Sequence, residues 1–251
     1  MRTRPNVQLS VRLLTATALV ALLAVVALQT TDRVQADDHA DKPAKTEAPL
    51  NKAPEGWSRL FDGESLVGWT IRSGKADYYA KDGAITGTTK KGSPNTFLTT
   101  LETYADFELQ FEVFLHDGGL NTGCQVRSKI VNDQKGRFGG RVGGPQVEIE
   151  KGPGQSGLVY GEASGGWQSA KDKTSKSHPQ FKNDQWNHYH IIAKGPRIQT
   201  FINGEQVEDL TFKDEYYNNF KEGFIGLQVH SVGGDPKFKV SWRNIYIKEL
   251  K

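Results

Sequence analysis

The chain has one cysteine, Cys124, so no disulfide can close within it and its core alone must hold it together. Cys124 falls on the apolar phase of a strand pattern, between Gly123 and Gln125, and reads as a small buried filler. Cations exceed anions by only three, and Arg2, Arg4 and Arg12 near the N-terminus account for that surplus, which excludes nucleic acid as a partner. Helical periodicity is almost absent. The one long apolar run, Leu13–Leu28, is shorter than the roughly 20 residues a membrane span needs. It follows those arginines and precedes small residues around Ala36, the pattern of a secretory signal peptide over residues 1–36 cleaved near Ala36. The expectation is an exported protein, periplasmic or extracellular, with no membrane partner once the leader is removed.

From Asp37 to Gly56 the composition is Ala, Asp, Lys, Pro and Glu, too polar to bury, and reads as a linker. Residues 57–251 carry short runs of alternating hydrophobicity separated by Asp62-Gly63, Asp82-Gly83 and Asn203-Gly204, the last a hairpin signal. Strands are expected at 58–61, 68–72, 84–87, 96–99, 107–115, 122–130, 146–150, 158–160, 186–193, 198–202, 224–230 and 237–248. So many evenly spaced strands predict an all-β sandwich or jelly roll of one domain. Two long segments, 132–143 and 161–184, are rich in glycine and cations and read as loops flanking the central strands.

Three strands place polar side chains on alternate residues. Val126, Val147, Ile149, Leu227 and Val229 can face a core, while Gln125, Arg127, Gln146, Glu148, Glu150, Gln228 and His230 share the other face. Amides, two carboxylates, a guanidinium and an imidazole suit the floor of a polar cleft better than an ordinary solvated face. An exposed Arg127–Glu148 ion pair and a structural His230 are the plainer alternatives. Trp167, in a glycine-rich loop, and Tyr160 are the aromatics placed to meet a sugar ring. Trp57, Trp69, Trp186 and Trp242 read as packing residues, and His188 and His190 as ordinary face residues.

Leu60-Phe61-Asp62-Gly63, Leu66, Gly68-Trp69, Tyr104-Ala105-Asp106-Phe107-Glu108-Leu109, Asn121-Thr122-Gly123, Arg127, Trp186-Asn187, Asn203-Gly204, Gly226-Leu227-Gln228 with His230, and Arg243-Asn244-Ile245 follow one another in an order that resembles the DUF1080 family, also described as 3-keto-disaccharide hydrolases or 3-keto-glucoside lyases and hydratases. The resemblance implies a concanavalin A-like jelly roll of two antiparallel sheets with its site on the concave one. One segment departs from the pattern. Where many relatives carry Gly-x-Glu-x-Gln-x-Asp, this chain has Gly144-Pro145-Gln146-Val147-Glu148-Ile149-Glu150, so amide and carboxylate have exchanged places and Glu148 or Glu150 must supply the carboxyl chemistry.

A ketone at sugar carbon 3 acidifies the proton on carbon 2. A base can remove it, the oxygen on carbon 1 leaves, and water adds back. His230 suits the base, because imidazole titrates near neutrality, and Arg127 suits the developing enolate. Glu148 or Glu150 could protonate the leaving oxygen or orient His230, and two residues along a strand sets them roughly 6 to 7 Å apart, a separation that also fits an ordinary glycosidase pair. Gln125, Gln146, Gln228, Asn121, Tyr160 and Trp167 are the candidate substrate-binding set. Glu, His and Asn on one face could also hold a divalent cation. Three functions are expected to compete: an enzyme acting on 3-keto-glycosides, a lectin-like carbohydrate-binding module, and a protein-interaction module marked by an exposed apolar patch.

Overall fold

The computed structural model describes residues 53–132 and 140–251, so the expected signal peptide and most of the linker lie outside the described residues. The strands in chain order are β1 (Ser58–Arg59), β2 (Trp69–Arg72), β3 (Asp77–Lys81), β4 (Ala84–Thr88), β5 (Thr96–Thr100), β6 (Phe107–Leu115), β7 (Thr122–Asn132), β8 (Arg141–Ile149), β9 (Val159–Glu162), β10 (Gly166–Trp167), β11 (Asn187–Lys194), β12 (Arg197–Ile202), β13 (Glu205–Thr211), β14 (Phe224–Val229) and β15 (Lys239–Glu249). Two short helices, α1 (Lys171–Thr174) and α2 (Asp214–Asn219), sit in connections.

The strands form two antiparallel sheets, a jelly-roll sandwich. The front sheet runs β10-β9-β8-β7-β14-β5-β2, and the back sheet runs β13-β12-β11-β6-β15-β4-β3 with β1 on the far part of β15. Period-two alternation builds the core: in β6, Phe107, Leu109, Phe111, Val113 and Leu115 are buried while Glu108, Gln110, Glu112 and Phe114 are only partly so. They meet Cys124, Val126, Val147, Ile149, Ile225 and Leu227 from the front sheet, and Phe111 stacks on Tyr189 with centroids 5.1 Å apart. Burial pushes the Cys124 thiol strongly up, in keeping with an inert filler. Trp69 and Trp242 are core residues, and Trp186 lies under the Arg243 guanidinium at 4.1 Å.

Asn203 and Gly204 both take left-handed φ, 53° and 85°, and close the β12–β13 hairpin. Three strands escaped the periodicity, β3, β10 and β13, and two of the segments read as loops contain regular structure. β8 starts at Arg141, and β10 and α1 lie between Gly161 and Asp184. Glycine and lysine content made both stretches look irregular, but β8 gains its early residues by pairing with the far end of β7.

Candidate functional site

The front sheet's outer face carries the polar residues that alternation predicted, and they interlock. Ladder pairing sets Tyr160, Gln146, Gln125, Gly226 and Thr99 side by side in one row across β9, β8, β7, β14 and β5. The Ser128 hydroxyl donates to Gln125 Oε1 at 2.6 Å, Gln125 Nε2 donates to Gln146 Oε1 at 2.7 Å, and Gln146 Nε2 donates to Glu148 Oε1 at 2.8 Å. Asn121 Nδ2 reaches the other carboxyl oxygen at 3.4 Å. Each amide in this relay has its oxygen turned toward Ser128 and its nitrogen toward Glu148, so the carboxyl receives two donors in fixed directions. Gly123 makes the relay possible, since a Cβ there would lie 2.6 Å from Gln146 Cγ and Cδ.

Glu148 is only 6% exposed. Desolvation outweighs its two donors and the negative charges of Glu150 and Glu162 add to it, so its pKa is pushed up to about 8. Gln228 is fully buried beside the relay. Its Oε1 accepts from Gln146 at 3.4 Å, while its Nε2 is a buried donor without a partner.

Beside the relay a cavity of about 470 Å³ opens over an apolar patch. Phe97 and Val142, clustered with Phe224, give it an apolar floor, and Asn95, Arg141, Glu162 and Ser231 give it a polar rim. Glu162 is buried, its pKa raised chiefly by desolvation, with Arg141 at 3.9 Å and the His230 charge favouring its ionised form. His230 stands just past the end of β14. Its Nδ1 lies 2.6 Å from the Ser231 carbonyl oxygen, which can only accept, so Nδ1 carries a proton and Nε2 is the ring nitrogen left to act as a base. Asn95 Oδ1 fixes the same corner by accepting from Ser231 N at 2.9 Å.

Two expected members are elsewhere. Arg127 does not share the face of Gln125. A bulge shifts the register of β7 between Gln125 and Lys129, Arg127 takes φ 50°, and its side chain turns to the back sheet. There it is fully buried, with Nη1 donating to Gly195 O at 2.7 Å, Nη2 to Asp106 at 2.9 Å and Nε to Ala105 O, and its guanidinium lies near the rings of Phe107 and Tyr217. It ties the start of β6 to the β11–β12 turn. Neither the enolate-binding role nor an Arg127–Glu148 pair fits that position. Glu150 lies one residue beyond β8, where alternation no longer holds, and its Oε1 accepts from Gln155 N to close the loop that follows.

The structure therefore brings together Gln125, Gln146, Gln228, Asn121 and Glu148, with His230 at the adjacent cavity. Tyr160 shares the face at the sheet's edge, and Trp167 packs edge-on against it at 5.3 Å. Glu162, Arg141 and Asn95 went unnoticed. Extending the alternation from Tyr160 to Glu162 would have found the second carboxyl, while Arg141 was hidden in the glycine-rich stretch. His190 pairs with Glu108 at 2.9 Å on the back sheet's outer face. Among the described residues no group of three or more His, Cys, Asp or Glu gathers as a metal site would require, and no helix is long and apolar enough to cross a membrane.

No curated protein matches the sequence. In structure the chain is similar to a candidate glycosyl hydrolase of Parabacteroides distasonis, at TM-score 0.53 and 19% identity over 78% of this chain and 95% of that one. It is similar also to the CBM66 carbohydrate-binding module of Bacillus subtilis, at TM-score 0.51 and 15% identity over 72% and 96%. A Bacillus subtilis protein of unknown function with a galectin-like fold matches at TM-score 0.51 and 10% identity over 73% and 90%. At these identities the likeness is one of fold. The sequence itself is matched over residues 56–248 by the model of the 3-keto-alpha-glucoside-1,2-lyase-like domain, and the chain belongs to that family.

Proposed function

We propose that this is an exported glycan-processing enzyme that cleaves 3-keto-glycosides on the outer face of the front sheet, with Glu148 as the proton donor to the departing oxygen. One observation carries the reading: a buried carboxyl whose pKa is pushed up to about 8 sits at the end of a relay that fixes its orientation. Such a group is protonated at neutral pH and can give its proton to a leaving alkoxide. The apolar floor and polar rim of the neighbouring cavity suit a sugar ring, whose CH faces are apolar and whose edges carry hydroxyls.

The chemistry begins at carbon 2. His230 Nε2 removes the proton on carbon 2. The electron pair moves into the enolate of the 3-ketone, without the cation expected from Arg127. The bond from carbon 1 to the glycosidic oxygen breaks as Glu148 protonates that oxygen, and water then adds across the double bond. Glu162, beside His230, stabilises the imidazolium formed in the first step. The leader Arg2–Ala36 supports export. A separate oxidase or dehydrogenase would supply the 3-keto substrate.

A carbohydrate-binding module is the second reading, favoured by the rigid, mutually satisfied amides of Gln125 and Gln146. Incubation with 3-keto-disaccharides separates the two. The enzyme reading requires product release that Glu148→Gln and His230→Ala abolish while saccharide binding persists. Binding of glycans with turnover of neither native nor 3-keto substrates, with or without added divalent metal, selects the module.

A further inference from the structure

We infer that the larger cavity at the outer edge of the front sheet is a second saccharide subsite, holding a sugar unit that flanks the one bound beside Glu162; the inference rests on the glycan-binding part of the proposed function. The cavity measures about 860 Å³ and is lined by Trp167, Ser164, Tyr216, Thr211 and Lys213 among others.

Its position links it to the first site. Glu162 ends β9 and lines the smaller cavity, whereas the next three residues, Ala163, Ser164 and Gly165, line the larger one. Along β9 and the turn that follows it, neighbouring residues thus line the two cavities. The turn is held in left-handed backbone, with φ 48° at Ala163, 115° at Gly165 and 75° at Gly166, which aims the following Trp167 outward. Trp167 is braced edge-on by Tyr160 at 81° and is nevertheless 43% exposed, an arrangement that core packing does not explain.

The lining selects the ligand class. An indole beside the paired hydroxyls of Ser164 and Tyr216, 2.9 Å apart, offers an apolar face and hydroxyl partners together. The lining carries Lys129 and Lys213 against Glu215, and Lys129 lies over the Phe220 ring at 5.1 Å. A purely apolar ligand would leave the remaining hydrogen-bonding capacity of Ser164, Tyr216 and Thr211 unused. A sugar unit meets both the indole face and the hydroxyls, and the preferred substrate is then longer than a disaccharide.

The test measures binding of cello-, malto- and laminaritriose and their disaccharides to the full chain by calorimetry. We expect at least one trisaccharide to bind about tenfold more tightly than its disaccharide, the scale of one aromatic contact. Trp167→Ala should erase that advantage without changing disaccharide affinity, and Trp167→Phe should keep most of it. The inference is overturned if no trisaccharide is preferred, if Trp167→Ala weakens both lengths equally, or if none of these saccharides binds. Glu148→Gln should retain the trisaccharide preference. Should it also still release product from a 3-keto-disaccharide, the catalytic reading fails and the subsite stands. Loss of release without any Trp167 effect removes the subsite and leaves the catalytic reading in place.

Discussion

Replacing Glu148 with Gln should change how stability depends on pH. In the unfolded chain this carboxyl has its ordinary pKa of 4.5, and in the folded protein about 8. Between those values the folded state holds a proton that the unfolded state has lost, so stability falls as pH rises through this window and the full penalty is present above about pH 8. At about 1.4 kcal/mol per pH unit, a rise of this size corresponds to about 5 kcal/mol, of which about 4 falls between pH 5 and pH 9. Gln cannot ionise, so the variant should match the native protein near pH 5 to within about 1 kcal/mol and exceed it near pH 9 by about 3 to 4 kcal/mol. For a domain of this size that is about 10 °C in Tm. Urea melts from pH 5 to 9 read the difference as a shift in midpoint at constant slope. Parallel stability curves for the two proteins would refute the argument that burial keeps Glu148 protonated.

Turnover of a 3-keto-glycoside should decline above about pH 8, as Glu148 loses the proton it must donate, and Glu148→Gln should remove that limb along with most of the rate; pH–rate profiles check both. Gly123→Ala should push against Gln146, cost about 1 to 3 kcal/mol in denaturant melts, and lower activity by misaligning the relay. Arg127→Met should destabilise by about 3 kcal/mol in the same melts, since it removes the donors of the Ala105 and Gly195 carbonyls and the ion pair with Asp106, yet leave saccharide affinity of the folded protein unchanged. Gln228→Leu removes a buried donor that has no partner and should change stability by no more than about 1 kcal/mol in the same melts.

Period-two alternation was enough to place Gln125, Gln146, Glu148 and Gln228 on one face, because straight ladder pairing leaves a side chain no other choice. It failed where the ladder is interrupted. Arg127 sits in a bulge, and one extra residue reverses the direction of the side chain that follows. Glu150 sits past the last paired residue, where a loop claims its carboxyl. The pairing of β8 with the end of β7 could not be read locally either. Arg141 belongs to a strand only because a distant segment lies beside it. Glu162 was legible in principle, two residues beyond Tyr160, but the glycines around it suggested a loop. The amide directions, and with them the orientation of Glu148, depend on a single hydroxyl, Ser128, that no sequence pattern marks.

The most direct test of Glu148 as proton donor compares two substrates with different leaving groups, a 3-keto-disaccharide and a nitrophenyl 3-keto-glucoside. A sugar alkoxide needs the proton and a nitrophenolate largely does not. Glu148→Gln should lower kcat on the disaccharide by about 10²- to 10⁴-fold, the scale of general acid catalysis, and affect the nitrophenyl substrate far less. Equal losses on both substrates, or none on either, would contradict the account.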